Sequence, residues 1–263
     1  MRFSISGCGF YKLMNRKLLN MPADFGLEIF YEYGSADLWN SLLGELSARG
    51  MDGFSIHAPF AFADITADCD ETALFDALRR PFDLYHRYGG EFYVLHTYGP
   101  SACSGDEAFR ADCRARAAER LGKFNDICRS EGVVLGAENL CDGTPPLFTG
   151  EQFLRLFTDL PDLHCVLDIG HALVAGMDIA RLQRELGGRI RAYHLHNNNG
   201  RADTHDRLRE GVMDWSAFAE NCLRYTPDAV GVLEYLKYQD MSVYEEDRAY
   251  LSALLSNAGR SHG

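Results

Sequence analysis

The stretch FYVLHTYGPSACSGDEAFRADCRARAAERLGKFNDICRSEGVVLGAE, residues 92–138, decides the fold. It opens on an apolar run, Phe92–His96, of strand length, and closes on another, Val133–Glu138. Between them Leu121, Phe124, Ile127 and Cys128 fall on one helical face of Glu107–Glu131. Gly132, in SEGV, marks the return from helix to strand. Strand, amphipathic helix, glycine and strand make up the unit from which parallel sheets are built.

The same unit recurs on both sides. Strand-like runs fall at Phe3–Ser6, Gly26–Phe30, Gly53–His57, Phe92–His96, Val133–Glu138, Cys165–Asp168, Ile190–Leu195 and Val230–Glu234, each followed by a helix-like stretch. The segments ARGMDG, YGGE and LGGR supply further return glycines, although no sequence repeat accompanies the structural one. Eight such units predict an α/β protein, a (β/α)8 TIM barrel in which residues 1–263 form a single domain. A doubly wound open sheet is the competing arrangement. It calls for a glycine-rich nucleotide turn after the first strand, and ISGCGFYKL carries only a faint echo of one.

The bulk properties agree with one soluble domain. Apolar residues make up 46% of the 263 and charged residues 24%, with no linker or low-complexity tract. No apolar run reaches membrane-spanning length, and the N-terminus reads as a first strand rather than a signal peptide, so a cytoplasmic location is expected. The eight cysteines include no CxxC pair and are read as reduced, small hydrophobes. A net charge of −12 argues against broad nucleic-acid binding, which depends on Lys and Arg neutralising phosphates.

Function is written at the strand ends. His57, His96, Glu138, Asp168 with His171, His194, Asp203 with His205, and Glu234 all lie where apolar runs stop or just beyond. In a barrel those ends share one mouth, so imidazoles and carboxylates converge there as a divalent metal requires. Each residue also has a plainer reading. Glu138 and Asp168 fit helix caps, His194 a core position, and Asp203-Thr204-His205 a solvated loop. Two-residue periodicity places His194 and His196 on one face, so one binds metal and the other contacts substrate. The aromatic cluster Phe30-Tyr31-Glu32-Tyr33 reads equally as a sugar platform or a packed rim, and Trp39 and Trp215 as core.

Taken in order, the segments His57-Ala-Pro, His96 with Gly99, Glu138-Asn139, Asp168-Ile-Gly-His171, His194-Leu-His-Asn, Asp203-Thr-His205, Glu210–Trp215 and Glu234 resemble the xylose-isomerase-like barrel superfamily. That superfamily joins sugar isomerases and epimerases with type-IV apurinic endonucleases, the latter within AP endonuclease family 2. The resemblance implies one divalent ion on Glu138, Asp168, His194 and Glu234 in the isomerase manner. In the endonuclease manner His57, His96, His171, Asp203 and His205 hold two further zinc ions. Asn197 stands where a carboxylate is usual, Arg209-Glu210-Gly211 replaces a Gly-Glu-Gly turn, and Phe60-Ala61 stands in place of a DNA-inserting wedge.

The expected activity is therefore metal-dependent isomerisation or epimerisation of a small sugar or related hydroxy-carbonyl compound through an enediolate. Glu138 and Glu234 would move the proton. His171, His196, Arg201 and Arg209 would bind substrate, and Zn, Mn, Co or Fe would serve as the metal. Because only neutral imidazole coordinates, metal affinity should fall below about pH 6. Hydrolysis of a phosphodiester at an abasic site by three zinc ions is the alternative. A homodimer is the expected assembly.

Overall fold

The computed structural model describes residues 1–10, 12–59, 63–103, 105–141 and 145–261. Phe60 and Ala61 lie outside them. Eight parallel strands close into a barrel in chain order: β1 (Phe3–Ser6), β2 (Gly26–Phe30), β3 (Phe54–His57), β4 (Phe92–His96), β5 (Leu135–Glu138), β6 (His164–Asp168), β7 (Ile190–Leu195) and β8 (Val230–Leu233). Every pairing is parallel, and β8 returns to β1 through Ser4 opposite Val232.

Most connections are α-helical: α1 (Ala36–Ala48), α2 (Glu71–Arg79), α3 (Phe82–Tyr88), α4 (Glu107–Ser130), α5 (Gly150–Asp159), α6 (Ile169–Val174), α7 (Ile179–Leu186), α8 (Trp215–Tyr225) and α9 (Met241–Ser261). The link from β1 to β2 departs from the expected pattern. It runs through two 3-10 segments, Gly7–Gly9 and Lys12–Asn20, rather than an α-helix. Pro22 disfavours helical geometry in the residue before it, so the connection stops after Asn20. In α4 the predicted face is buried through Leu121, Phe124 and Cys128, joined by Cys113 and Ala117. Gly89 closes α3 in the left-handed region, at φ 71°, where a side chain would be strained.

Strand alternation sorts side chains into two sets. Tyr93, Leu95, Leu135, Ala137, Cys165, Leu167, Tyr193 and Leu195 join the helices in the larger core. Phe92, Val94, Val166, Ala192, Val230 and Val232 form a separate cluster that fills the barrel. Two residues further along the same parity stand His96, Asp168, His194 and Glu234, with Glu138 reached from Gly136. The apolar plug thus ends in a polar layer at the mouth. Among the described residues no helix is long and apolar enough to cross a membrane.

Candidate metal centre

The polar layer surrounds His194. Its Nδ1 lies 3.0 Å from Glu138 Oε1, 3.0 Å from Glu234 Oε2 and 3.8 Å from Asp168 Oδ2. Its Nε2 lies 2.9 Å from Glu28 Oε1 on β2. Four carboxylates no more than 3% exposed therefore ring one imidazole that is fully buried. A single imidazolium cannot balance them in a medium of low dielectric. Glu28 is not among the residues that strand ends single out. Its signal is a charged residue inside the apolar run Gly26–Phe30, the kind of burial that requires a partner.

Two groups flank this one. Glu138 Oε2 is 3.3 Å from the Nε2 atoms of both His57 and His96, which are themselves 3.0 Å apart. On the other side Asp203 Oδ2 lies 3.3 Å from His171 Nε2 and 2.9 Å from His205 Nε2. In each of the three groups one donor atom per residue lies within 4.8 Å of all the others: Glu138, Asp168, His194 and Glu234; His57, His96 and Glu138; His171, His196, Asp203 and His205.

The outer nitrogens explain how the rings are aimed. His57 Nδ1 faces Ala58 O at 2.9 Å, His171 Nδ1 faces Asn139 O at 3.0 Å, and His205 Nδ1 faces Glu234 O at 3.2 Å. A carbonyl only accepts, so each Nδ1 carries the hydrogen. In the neutral ring the Nε2 lone pair then points at a carboxylate oxygen. Two acceptors face each other unless a proton or a metal ion lies between them. Outer bonds that fix the ring while its inner nitrogen meets anionic oxygen are what metal-ligating histidines need. Of nine buried side-chain N or O atoms without an aligned hydrogen bond among the described residues, five belong here: Glu28 Oε1, Glu138 Oε2, His194 Nε2, His196 Nδ1 and Asp203 Oδ1. The donor set fits one to three divalent ions.

Without metal, protons take that place. Burial would push the His194 and His171 rings down, but the Glu138 and Glu234 charges lift His194 well above its ordinary value, and the Asp168 charge with the Asp203 bond does the same for His171. His57 and His205 are raised more modestly against the same opposition from burial. For His96 burial prevails and the pKa falls. Burial opposes ionisation of Glu138, Glu234 and Asp203 too, yet the facing imidazoles hold all three below the usual carboxylate range.

Local structure places the ligands. Asp168 divides its two roles between its oxygens: Oδ1 accepts from His171 N at 2.6 Å and caps α6, while Oδ2 faces His196 Nε2 at 3.0 Å. Asn139 clamps β5 to β6 by donating to Asp168 O and accepting from Asp168 N, both at 2.8 Å. Gly170 is required by close approach, since a Cβ there would lie 2.0 Å from His196 Cε1. His205 holds φ at 46°, a conformation uncommon outside glycine, and stacks on His196 with centroids 3.9 Å apart. Replacing Glu28 by Gln removes the charge behind His194; metal affinity should fall about 10–100-fold, read by competition with a chelating dye.

Three expected substrate contacts lie elsewhere. His196 is fully buried, held between Asp168 and His205, and has no face toward solvent. Arg209 turns outward, 3.8 Å from both Glu246 and Asp247, over the Tyr250 ring of α9. Arg201 is exposed in the loop after β7. Neither arginine lines the cavity at the centre, which holds about 260 Å³. His171 does line it, beside His96, Glu138, Asp203, His205 and Glu234. Asn197 serves the loop: it donates to Leu208 O at 2.6 Å and accepts from the backbone of Asn198 and Met213.

Comparison with known proteins places this geometry. Residues 23–254 match the model of the xylose isomerase-like TIM barrel family. An uncharacterised protein of Methanocaldococcus jannaschii is 26% identical over 214 residues, covering 75% of this chain and 69% of that protein. A D-tagatose 3-epimerase-like protein superposes with a TM-score of 0.84 at 22% identity, covering both chains completely. An AP endonuclease of family 2 from Brucella melitensis gives 0.72 at 16% identity, covering 96% of this chain and 98% of its own. With the match running through nearly all of the barrel, this chain belongs to the xylose isomerase-like TIM barrel family.

Proposed function

We propose that the protein is a divalent-metal-dependent isomerase or epimerase of a small sugar or related α-hydroxycarbonyl compound. The observation that carries this reading is the placement of two carboxylates. Glu138 from the end of β5 and Glu234 just beyond β8 each lie 3.0 Å from the same His194 nitrogen and both line the cavity. Carboxylates from separated strands can meet the two faces of one carbon: one removes the proton and the other returns it, each step contributing about 10²–10⁴-fold. Glu138, Asp168, His194 and Glu234 would hold a dication, which would supply Lewis-acid stabilisation of a developing oxyanion, and Mn, Co, Fe and Zn all suit those donors. His96 and His171, also in the lining, would bind the substrate oxygens.

A second reading has its own support. The imidazole-rich groups on either side of the carboxylates, His57 with His96 and His171 with Asp203 and His205, suit a three-zinc phosphodiesterase. Against it stand the net charge of −12 and a cavity whose described lining has no Lys or Arg to hold phosphates. Metal content and product formation separate the two. With the proton-transfer reading, protein purified without added metal or chelator holds about one ion per chain. Incubation of ketoses in D₂O then places deuterium on the carbon beside the carbonyl, seen by NMR. Near three zinc ions, nicking of an abasic duplex and no exchange would establish hydrolysis instead.

A further inference from the structure

Between β7 and α8, residues 196–214 form neither helix nor strand beyond the isolated bridge of Asn197 with Asp206. A stretch of that length without regular structure keeps one shape only where it is tied down. It carries Asp203 and His205 into the polar layer, where His205 holds its uncommon φ of 46°. Glu234 also stands outside regular structure, one residue past the end of β8. Fixed placement of these three donors therefore needs support from elsewhere in the chain.

That support converges on Asp247, fully buried in the second turn of α9. Arg207, two residues after His205, donates from Nε to Asp247 Oδ2 at 3.1 Å and from Nη2 to Oδ1 at 2.9 Å. Tyr235, the residue after Glu234, donates its hydroxyl to the same Oδ2 at 2.9 Å. Glu246 takes a further bond from Arg207 Nη2 at 2.8 Å, while Arg209 stays 3.8 Å from the Asp247 carboxylate. On the cavity side, His205 Nδ1 donates to Glu234 O at 3.2 Å. The bonds close a ring through Glu234, Tyr235, Asp247, Arg207 and His205, so one carboxylate fastens the loop to the strand end.

Asp247 belongs to none of the three donor groups and does not line the cavity. A buried ion pair adds little net stability over an apolar pair of like size, because both charges must shed water. What a two-point guanidinium–carboxylate contact supplies is a fixed distance and angle.

We infer that Asp247 is a positioning residue for the metal centre, holding Glu234 through Tyr235, and Asp203 with His205 through Arg207. The inference rests on the proposed reading for the presence of a divalent ion alone, and not for the reaction that follows.

Co²⁺ is the probe. Its dissociation constant follows from competition with a chelating dye, and the visible spectrum of the loaded protein reports ligand geometry. Asp247→Asn should weaken Co²⁺ binding about tenfold or more and alter that spectrum. Tyr235→Phe leaves the Arg207 pair in place, and should alter the spectrum and weaken binding about threefold or more. A purely structural role would lower Tm in EDTA yet leave affinity and spectrum as they are, well below the transition. Should Asp247→Asn fail to fold, Tyr235→Phe decides alone. A smaller loss of affinity, or an unchanged spectrum, in either folded variant would overturn the inference. Native protein that takes up no Co²⁺ would overturn it together with the metal-dependent reading. Native uptake without deuterium exchange would remove the isomerase reading and leave the role of Asp247 to be decided by the two variants.

Discussion

Replacement of Glu138 by Gln is expected to lower kcat/KM for proton exchange about 10³-fold while leaving the barrel folded. The two side chains are nearly the same size, so the substitution opens no void. What changes is charge at the junction of two ligand groups, where Oε1 faces His194 and Oε2 faces His57 and His96. An amide cannot take up a proton from carbon, so the acid–base contribution is lost. It is also a weaker ligand, so the expected content of about one ion per chain should fall. Glu234→Gln should match the loss of turnover but keep an ion on His57, His96 and Glu138 in zinc-saturated protein. Exchange within threefold of the native rate, at native metal content, would remove Glu138 from the proton-transfer step. Unchanged circular dichroism separates chemistry from misfolding.

The second large effect concerns stability in the absence of metal. His194, His171, His57 and His205 have folded pKa values above their ordinary 6.5. Their protonation favours the folded state more than the unfolded one, so this stability is complete below about pH 6.5 and is lost as pH rises through the folded values. Glu138, Glu234 and Asp203 act with the opposite sign, since their lowered values give stability that is present above about pH 4.5 and lost on acidification. Chelator-treated protein should therefore be most stable between about pH 5 and 6.5, with a Tm that declines toward pH 9. A bound dication replaces the protons and removes the alkaline decline. At a thousandfold excess over Kd it adds about 4 kcal/mol, on the order of 10 °C in Tm for a chain of this length. Scanning calorimetry from pH 5 to 9, with EDTA and with Mn²⁺ or Zn²⁺, checks both branches. A flat profile with EDTA, or equal slopes with and without metal, would show that the imidazoles are not charged beside their carboxylates.

Several parts of this site are legible in the residues alone. The nine strand-end ligand candidates stand out because a carboxylate or imidazole closing a run such as VVLGAE or CVLDIGH conflicts with the apolar pattern around it. Barrel topology then brings such ends together, whatever their separation in the chain. Glu28 obeys the same rule but sits within its strand rather than at its end, beyond the reach of strand-end reasoning. The link after β1 resists such reasoning because a 3-10 turn and a short α-helix share much the same apolar spacing.

Other parts have no local signal. Arg209 sits beside the mouth in sequence, but its guanidinium is drawn to Glu246, Asp247 and Tyr250 on α9, well beyond it in the chain. His196 shares its strand face with His194, yet the fold covers it with His205 and leaves it no opening. Nor does spacing reveal that Cys8, Phe30, Leu140 and Leu236, from four different loops and strand ends, line the same cavity.

By itself, the sequence determined the barrel and the identity of the polar groups at its mouth. Both follow from two-residue alternation within short strands, a property each strand carries alone. Only the tertiary structure decided which nitrogen or oxygen each group turns inward, which charges are paired elsewhere, and what shape of cavity remains. Those outcomes depend on contacts between segments far apart in the chain, where the lowest-energy partner for a side chain is set by what the closed barrel places beside it.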